Sequence, residues 1–214
     1  MKWAYRLLLK LVENLIIDVY KSRFLSKFAT EMGNDFNIQF NEGKSLNAVL
    51  YVANKLQRKD FHKIFKVLYF ADRNHFADYG RPITGDNYIK MEDGPVPSNI
   101  YDIFKTVRGD GYYKDTDGKF GKFFNVEHGC FIRANADVNL SALSKSDIAY
   151  LNKSLEENGP LDYHTVREKS HDYAWDASSM GRGMSFDNIL REQGVDDEYI
   201  AYLKDKAILK KFLD

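Results

Sequence analysis

From Asn41 onward, apolar residues recur at spacings of three and four. Leu46, Val49, Leu50, Ala53 and Leu56 share one helical face. A polar break, Gln57-Arg58-Lys59-Asp60, follows, and Asp60 is placed to cap the next helix. That second helix carries Phe61, Ile64, Phe65, Leu68 and Tyr69 on one face and runs to about Tyr79, where Gly80 and Pro82 stop it. Thr84-Gly85-Asp86 reads as a turn and Tyr88 to Met91 as a short strand. Gly94-Pro95-Val96-Pro97 reads as a rigid extended stretch, because each proline fixes its own φ and restricts the residue before it. Ser98 is read as the N-cap of a third helix that buries Ile100, Ile103, Phe104 and Val107.

Residues 108–140 change period. Phe120, Phe124 and Val126 alternate, as do Cys130, Ile132 and Ala134, which predicts a small antiparallel sheet with Asp117-Gly118 as a hairpin-type dipeptide. Helix then returns. Ser144-Lys145-Ser146-Asp147 resembles a capping box, with Asp where Glu or Gln is usual. Ile148, Leu151 and Leu155 face inward until Gly159-Pro160. A short helix is expected over Tyr163 to Lys169, another between Ser185 and Gly194, and a last one from about Asp196 that buries Ile200, Leu203, Ala207 and Ile208.

Upstream, Trp3, Leu7, Leu8, Leu11, Leu15 and Val19 mark one or two amphipathic helices within residues 1–36. A helix docked on the main body, a partner-binding helix and a membrane-surface helix all fit that stripe. Met32 offers an alternative start. The expected architecture is α+β and mainly helical: a compact domain over 41–214 with a small antiparallel sheet inserted between helices, plus an N-terminal helical extension over 1–40.

Composition narrows function more than fold. The 31 Lys and Arg balance 31 Asp and Glu, so formal net charge is zero, which disfavours a dedicated nucleic-acid binder. Aromatics are 14% of residues and several adjoin cations, as in Lys119-Phe120 and Lys122-Phe123, but Asp115, Asp117 and Glu127 dilute any positive field. The single cysteine, Cys130, cannot form an internal disulfide, so a reduced cytoplasmic setting is expected. Lys10, Glu13 and Asp18 interrupt the leucine-rich start, so neither a spanning helix nor a secretory signal is read there. The five histidines have no zincin spacing, and no Walker, dinucleotide or nucleophile-elbow motif occurs, so no metal or cofactor is expected. Asp72 and His75 stand at i, i+3, which suits either an acid–base pair or a structural hydrogen bond.

What stands out is a dense block without catalytic grammar: Asp72-Arg73, His75, Tyr79-Gly80-Arg81-Pro82, Thr84-Gly85-Asp86 and Gly94-Pro95-Val96-Pro97-Ser98. Two readings stand for it. One is a contact surface, since rigid loops lose little entropy on binding and Arg and Tyr are favoured at interface hot spots. The other is a scaffold in which Asp72 pairs with Arg81 to hold the loop.

The runs Lys66-Val67-Leu68-Tyr69-Phe70-Ala71-Asp72-Arg73, Tyr79 to Asp86, and Gly94 to Ser98 with Ile100-Tyr101-Asp102 resemble the Panacea domain, the SocA-like antitoxin domain of bacteria and phages. Ser170-His171-Asp172-Tyr173-Ala174-Trp175 adds a further match, and the resemblance covers roughly residues 44–200. It implies an antitoxin that is not an enzyme and that neutralises a cognate protein toxin by binding it. It leaves open a proteolytic adaptor that delivers the toxin to a AAA+ protease, an enzyme that reverses a toxin's modification, and a homo-oligomer. On this reading the candidate toxin contacts are Tyr69, Asp72, His75, Tyr79, Arg81, Thr84 and Tyr101. Gly80, Pro82, Gly85, Asp86, Gly94, Pro95, Pro97 and Ser98 shape the loop.

Overall fold

The computed structural model describes residues 36–112, 115 and 117–213. The amphipathic stripe from Trp3 to Val19, read within residues 1–36, lies outside them. The described residues divide into two compact units, 38–196 and 36–37 with 197–213. The first is mainly helical, with two small antiparallel hairpins.

Its centre is helix α2 (Phe61–Tyr79). Around it pack α1 (Glu42–Lys55), strand β2 (Gly94–Pro97), α4 (Lys145–Asn158), α5 (Tyr163–Ser170) and α7 (Phe186–Glu192). The expected apolar face of α2 is there, but burial runs all round the helix and takes in Lys63, Lys66, Asp72 and His75. A helix covered on every side must satisfy its polar residues internally. Lys63 does so by donating to the carbonyls of Asn158 and Leu161 at the end of α4. Leu50, Ile64, Leu68, Phe104 and Leu151 belong to the apolar core.

Capping follows the expected grammar at Asp60, Ser144 and Ser185, each accepting from a backbone N–H in the first turn of its helix. Ser144 and Asp147 form the reciprocal box. Helix α3 (Ser98–Arg108) departs from it. The cap position is Pro97, which has no side-chain bond, so Ser98 is not the N-cap. Asp86 caps α3 from a distance instead: Oδ1 accepts from Asn99 N and Oδ2 from Ile100 N, both at 2.9 Å.

The stretch Gly94-Pro95-Val96-Pro97 is strand β2, paired antiparallel with β1 (Tyr88–Met91) in the register Tyr88↔Pro97 and Lys90↔Pro95. Tyr88 and Lys90 turn their backbone groups outward to residues 181–184: Lys90 N donates to Arg182 O and Met184 N to Tyr88 O. Pro95 and Pro97 therefore occupy the non-hydrogen-bonded pairs, where a missing N–H costs the ladder nothing. The second hairpin joins β3 (Phe124–Glu127) to β4 (Phe131–Ala134). Asp117-Gly118 does not make its turn. His128 and Gly129 do, at φ of 48° and 77°, and Gly118 lies in the turns before β3. Two short helices follow α4, namely α5 and then α6 (Tyr173–Asp176). Among residues 197–213, α8 (Asp197–Leu213) carries Asp197 and Glu198 at its N-terminus and Lys210 and Lys211 at its end, as its dipole favours. No described helix is long and apolar enough to cross a membrane.

Candidate functional site

The block singled out in the sequence folds as the end of α2, the loop 80–87 and the β1–β2 hairpin, and it is organised by buried carboxylates. Asp72 has no side-chain exposure to speak of. Its Oδ1 accepts from the N–H of Ile83 at 2.8 Å and of Thr84 at 3.0 Å. Its Oδ2 accepts from the hydroxyls of Thr84 and of Tyr88. Burial pushes the Asp72 carboxyl up to about 6, against the pull of those bonds. Asp72 thus holds the loop, but not through Arg81, which the sequence suggested as its partner. Arg81 Nη2 lies 3.1 Å from Asp147 Oδ1 on α4.

Asp147 gathers a second network. Lys44 Nζ of α1 is 2.7 Å from its Oδ2, and Ser144 N donates to the same oxygen at 2.8 Å. Burial raises its carboxyl, but Lys44 and the Ser144 bonds outweigh that and bring it below the usual range. His75 sits between the two networks. Its Nδ1 meets the Arg81 carbonyl at 2.8 Å and its Nε2 meets Ser146 Oγ at 3.0 Å. Asp72 and His75 thus face different partners, and the acid–base pair is not assembled.

The candidate contacts divide accordingly. Tyr69, Asp72, His75 and Thr84 are buried, so in this conformation they offer no side chain to a partner and act as scaffold. Tyr69 instead donates to Asp172 Oδ2, which also pairs with Arg73 at 2.6 Å. Tyr79 is 55% exposed. Its ring lies flat on His75, with Tyr150 of α4 edge-on. Arg81 keeps a side chain 44% exposed. Tyr101 is half-buried against the ring edges of Phe61 and Phe65. Phe65 is fourteen positions from Tyr79 on the same helix, or about 21 Å at 1.5 Å per residue, so Tyr101 does not join the Tyr79–Arg81 surface.

Asp147, Ser146, Lys44 and Tyr150 belong to the site but were not singled out in the sequence. The one available signal was the Asp in the capping box: a short carboxylate at that position also serves Lys44 and Arg81. The motif Ser170 to Trp175 is structural. Asp172 caps α6, and the Trp175 ring is covered by His171 on one side, 3.8 Å between centroids, with Lys90 also over it at 3.9 Å.

Lys66 carries a measurable consequence of burial. It is 1% exposed, donates to Pro95 O at 2.9 Å, and makes no ion pair within the described residues. Burial pulls its ammonium down to about 7. Between that value and 10.5 the unfolded chain binds the extra proton, so stability rises with pH through this window and falls back as pH returns to 7. Urea unfolding at pH 7 and pH 9.5 is expected to show wild type gaining on Lys66→Met by up to about 1.4 kcal/mol per unit. Parallel pH profiles for the two proteins refute it.

Among the described residues no group of three or more His, Cys, Asp or Glu could hold a metal ion. Compared with known proteins, the chain matches a family model described as antitoxin SocA-like, Panacea domain, over residues 64–176, more than half its length. That span runs from the core of α2 to the end of α6 and contains the Asp72 network and all of the Asp147 network except Lys44. No curated protein and no solved structure matches the chain.

Proposed function

The chain belongs to the family of SocA-like antitoxins built on the Panacea domain, and from that premise we propose that it neutralises a growth-arresting protein toxin by binding it rather than by catalysis. One observation carries this reading. Inside the matched region, the buried polar groups around Asp72 and His75 hold a tyrosine ring and a guanidinium at the surface, at Tyr79 and Arg81. Ordering them beforehand reduces what binding must spend in entropy. Tyr and Arg are the residue types most often dominant at such interfaces.

Co-expression with the toxin gene tests it. Each of Arg81→Ala and Tyr79→Ala should weaken the complex by about 2 kcal/mol, roughly 30-fold in affinity, so that growth rescue requires more antitoxin. Among the described residues the Tyr79 side chain has only ring contacts to lose, which separates an interface effect from the Asp147 network that Arg81 also serves. Undiminished rescue by both variants removes this surface from the contact. Cure at a small fraction of equimolar dose, without a lasting complex, overturns binding as the mechanism. Toxin half-life gives a further outcome: a masking antitoxin preserves or lengthens it, whereas delivery to a AAA+ protease shortens it.

A further inference from the structure

Asp147 Oδ1 is buried and accepts no well-formed hydrogen bond. Two donors stand near it, Arg81 Nη2 at 3.1 Å and His75 Nε2 at 3.4 Å. The surroundings of His75 fix its proton. The Arg81 carbonyl can only accept, so Nδ1 carries a hydrogen in either charge state. In the neutral ring Nε2 is then an acceptor and takes the Ser146 hydroxyl proton. Ser146 Oγ in turn accepts from Ser144 Oγ at 2.9 Å, and Ser144 Oγ accepts from Asp147 N and from Arg81 Nη2. Every hydroxyl in this chain points one way, toward His75.

A second proton on the ring reverses that. Nε2 becomes a donor, the Ser146 hydroxyl loses its acceptor, and the nearest unsatisfied oxygen is Asp147 Oδ1. Three cations, Lys44, Arg81 and His75, then share one carboxylate. Tyr79 and Tyr150 wall off the ring from the other sides, and Asp78 is engaged by the Tyr150 hydroxyl, so among the described residues no other acidic group faces it. Of the three cations Arg81 is the most exposed and loses least by leaving. We propose that His75 is a proton-operated latch on Arg81. When neutral, it leaves Asp147 to the guanidinium. When protonated, its Nε2–H takes Asp147 Oδ1, and the guanidinium swings into solvent while the loop backbone stays pinned through the Arg81 carbonyl. The latch is a property of the loop itself and holds whether or not a toxin docks there. Burial together with Arg81 and Lys44 lowers the His75 titration below its ordinary value, opposed by the Arg81 carbonyl and Asp147, which places the switch on the acid side of neutrality.

The experiment is a nitrogen-15 NMR titration of the full chain from pH 7.5 to 5. The His75 ring nitrogens and Arg81 Nε are expected to move with one midpoint, below 6.5. In His75→Asn, which retains a side-chain N–H for the Arg81 carbonyl, the Arg81 signal should stay flat. Ser146→Ala removes the hydroxyl that favours the neutral ring, so the His75 midpoint should rise by about half a unit or more. A His75 that titrates while Arg81 stays still overturns the latch. So does a ring neutral throughout the range, or an Arg81 shift that persists in His75→Asn. Should His75→Asn fail to fold, the Ser146→Ala midpoint decides alone, and one that is unchanged or lowered refutes the relay.

Discussion

Asp72→Ala is expected to cost about 3–5 kcal/mol of folding stability, read as the shift of the chemical denaturation midpoint. The carboxylate is the acceptor for four donors: the N–H groups of Ile83 and Thr84 and the hydroxyls of Thr84 and Tyr88. The hydroxyls can rotate to other acceptors, but the two backbone N–H groups cannot, and an unsatisfied buried donor costs about 1–3 kcal/mol. Asp72→Asn keeps one acceptor oxygen and should cost markedly less. It should also erase a pH effect. The Asp72 carboxyl binds its proton more tightly in the fold, so wild type loses stability as pH rises from about 4 to about 6, and the Asn variant should not. A loss below about 1 kcal/mol for the Ala variant would mean that the Asp147 network holds the loop without Asp72.

Gly94→Ala ranks second, at about 2–5 kcal/mol. Gly94 follows the two-residue loop Glu92-Asp93 of the first hairpin and has φ of 95°, a region that costs a residue with a Cβ roughly 1–2 kcal/mol. A Cβ there would also come within 2.3 Å of Ser170 Oγ and 2.8 Å of Lys66 Cε. Neither side chain is idle, since Ser170 Oγ donates to Arg167 O and Lys66 Nζ to Pro95 O. Crowding of this kind adds about 1–3 kcal/mol. Thermal unfolding of Gly94→Ala with and without Ser170→Gly separates the terms. Partial recovery in the double variant identifies the clash, and no recovery identifies the backbone. A single variant as stable as wild type would show that the hairpin can abandon its left-handed residue.

Local signals carried most of the helices into view. Period was enough for α1, and period with an acceptor at the cap and a glycine at the end for α2 and α4; Asp60, Ser144 and Ser185 cap as their sequence positions predict. What escaped was non-local. Asp86 caps a helix that begins twelve positions later, and Asp72 binds a loop eleven and twelve positions on. No window of sequence shows which backbone a carboxylate will meet across a turn. The alternating strands of the second hairpin lie where the sequence puts them, but Asp117-Gly118 is not their turn, which instead forces His128, a non-glycine residue, to positive φ. At the candidate site the special residues were legible as special. Whether they faced in or out was not, because a polar residue on a helix reads as solvated until the helix proves to be covered on all sides. Tyr69, Asp72 and His75, read as candidate contacts alongside a scaffold reading of the block, lie inward.

The outer edge of β1 is occupied by residues 181–184, which lie beyond the matched region ending at residue 176. The Tyr88 carbonyl and the Lys90 amide and carbonyl take their partners from that segment alone. A fragment ending at Asp176 would keep every residue by which the family is recognised and yet leave this strand an open template for another copy of itself. The cover of this strand edge thus resides in a stretch of chain that the family signature does not include.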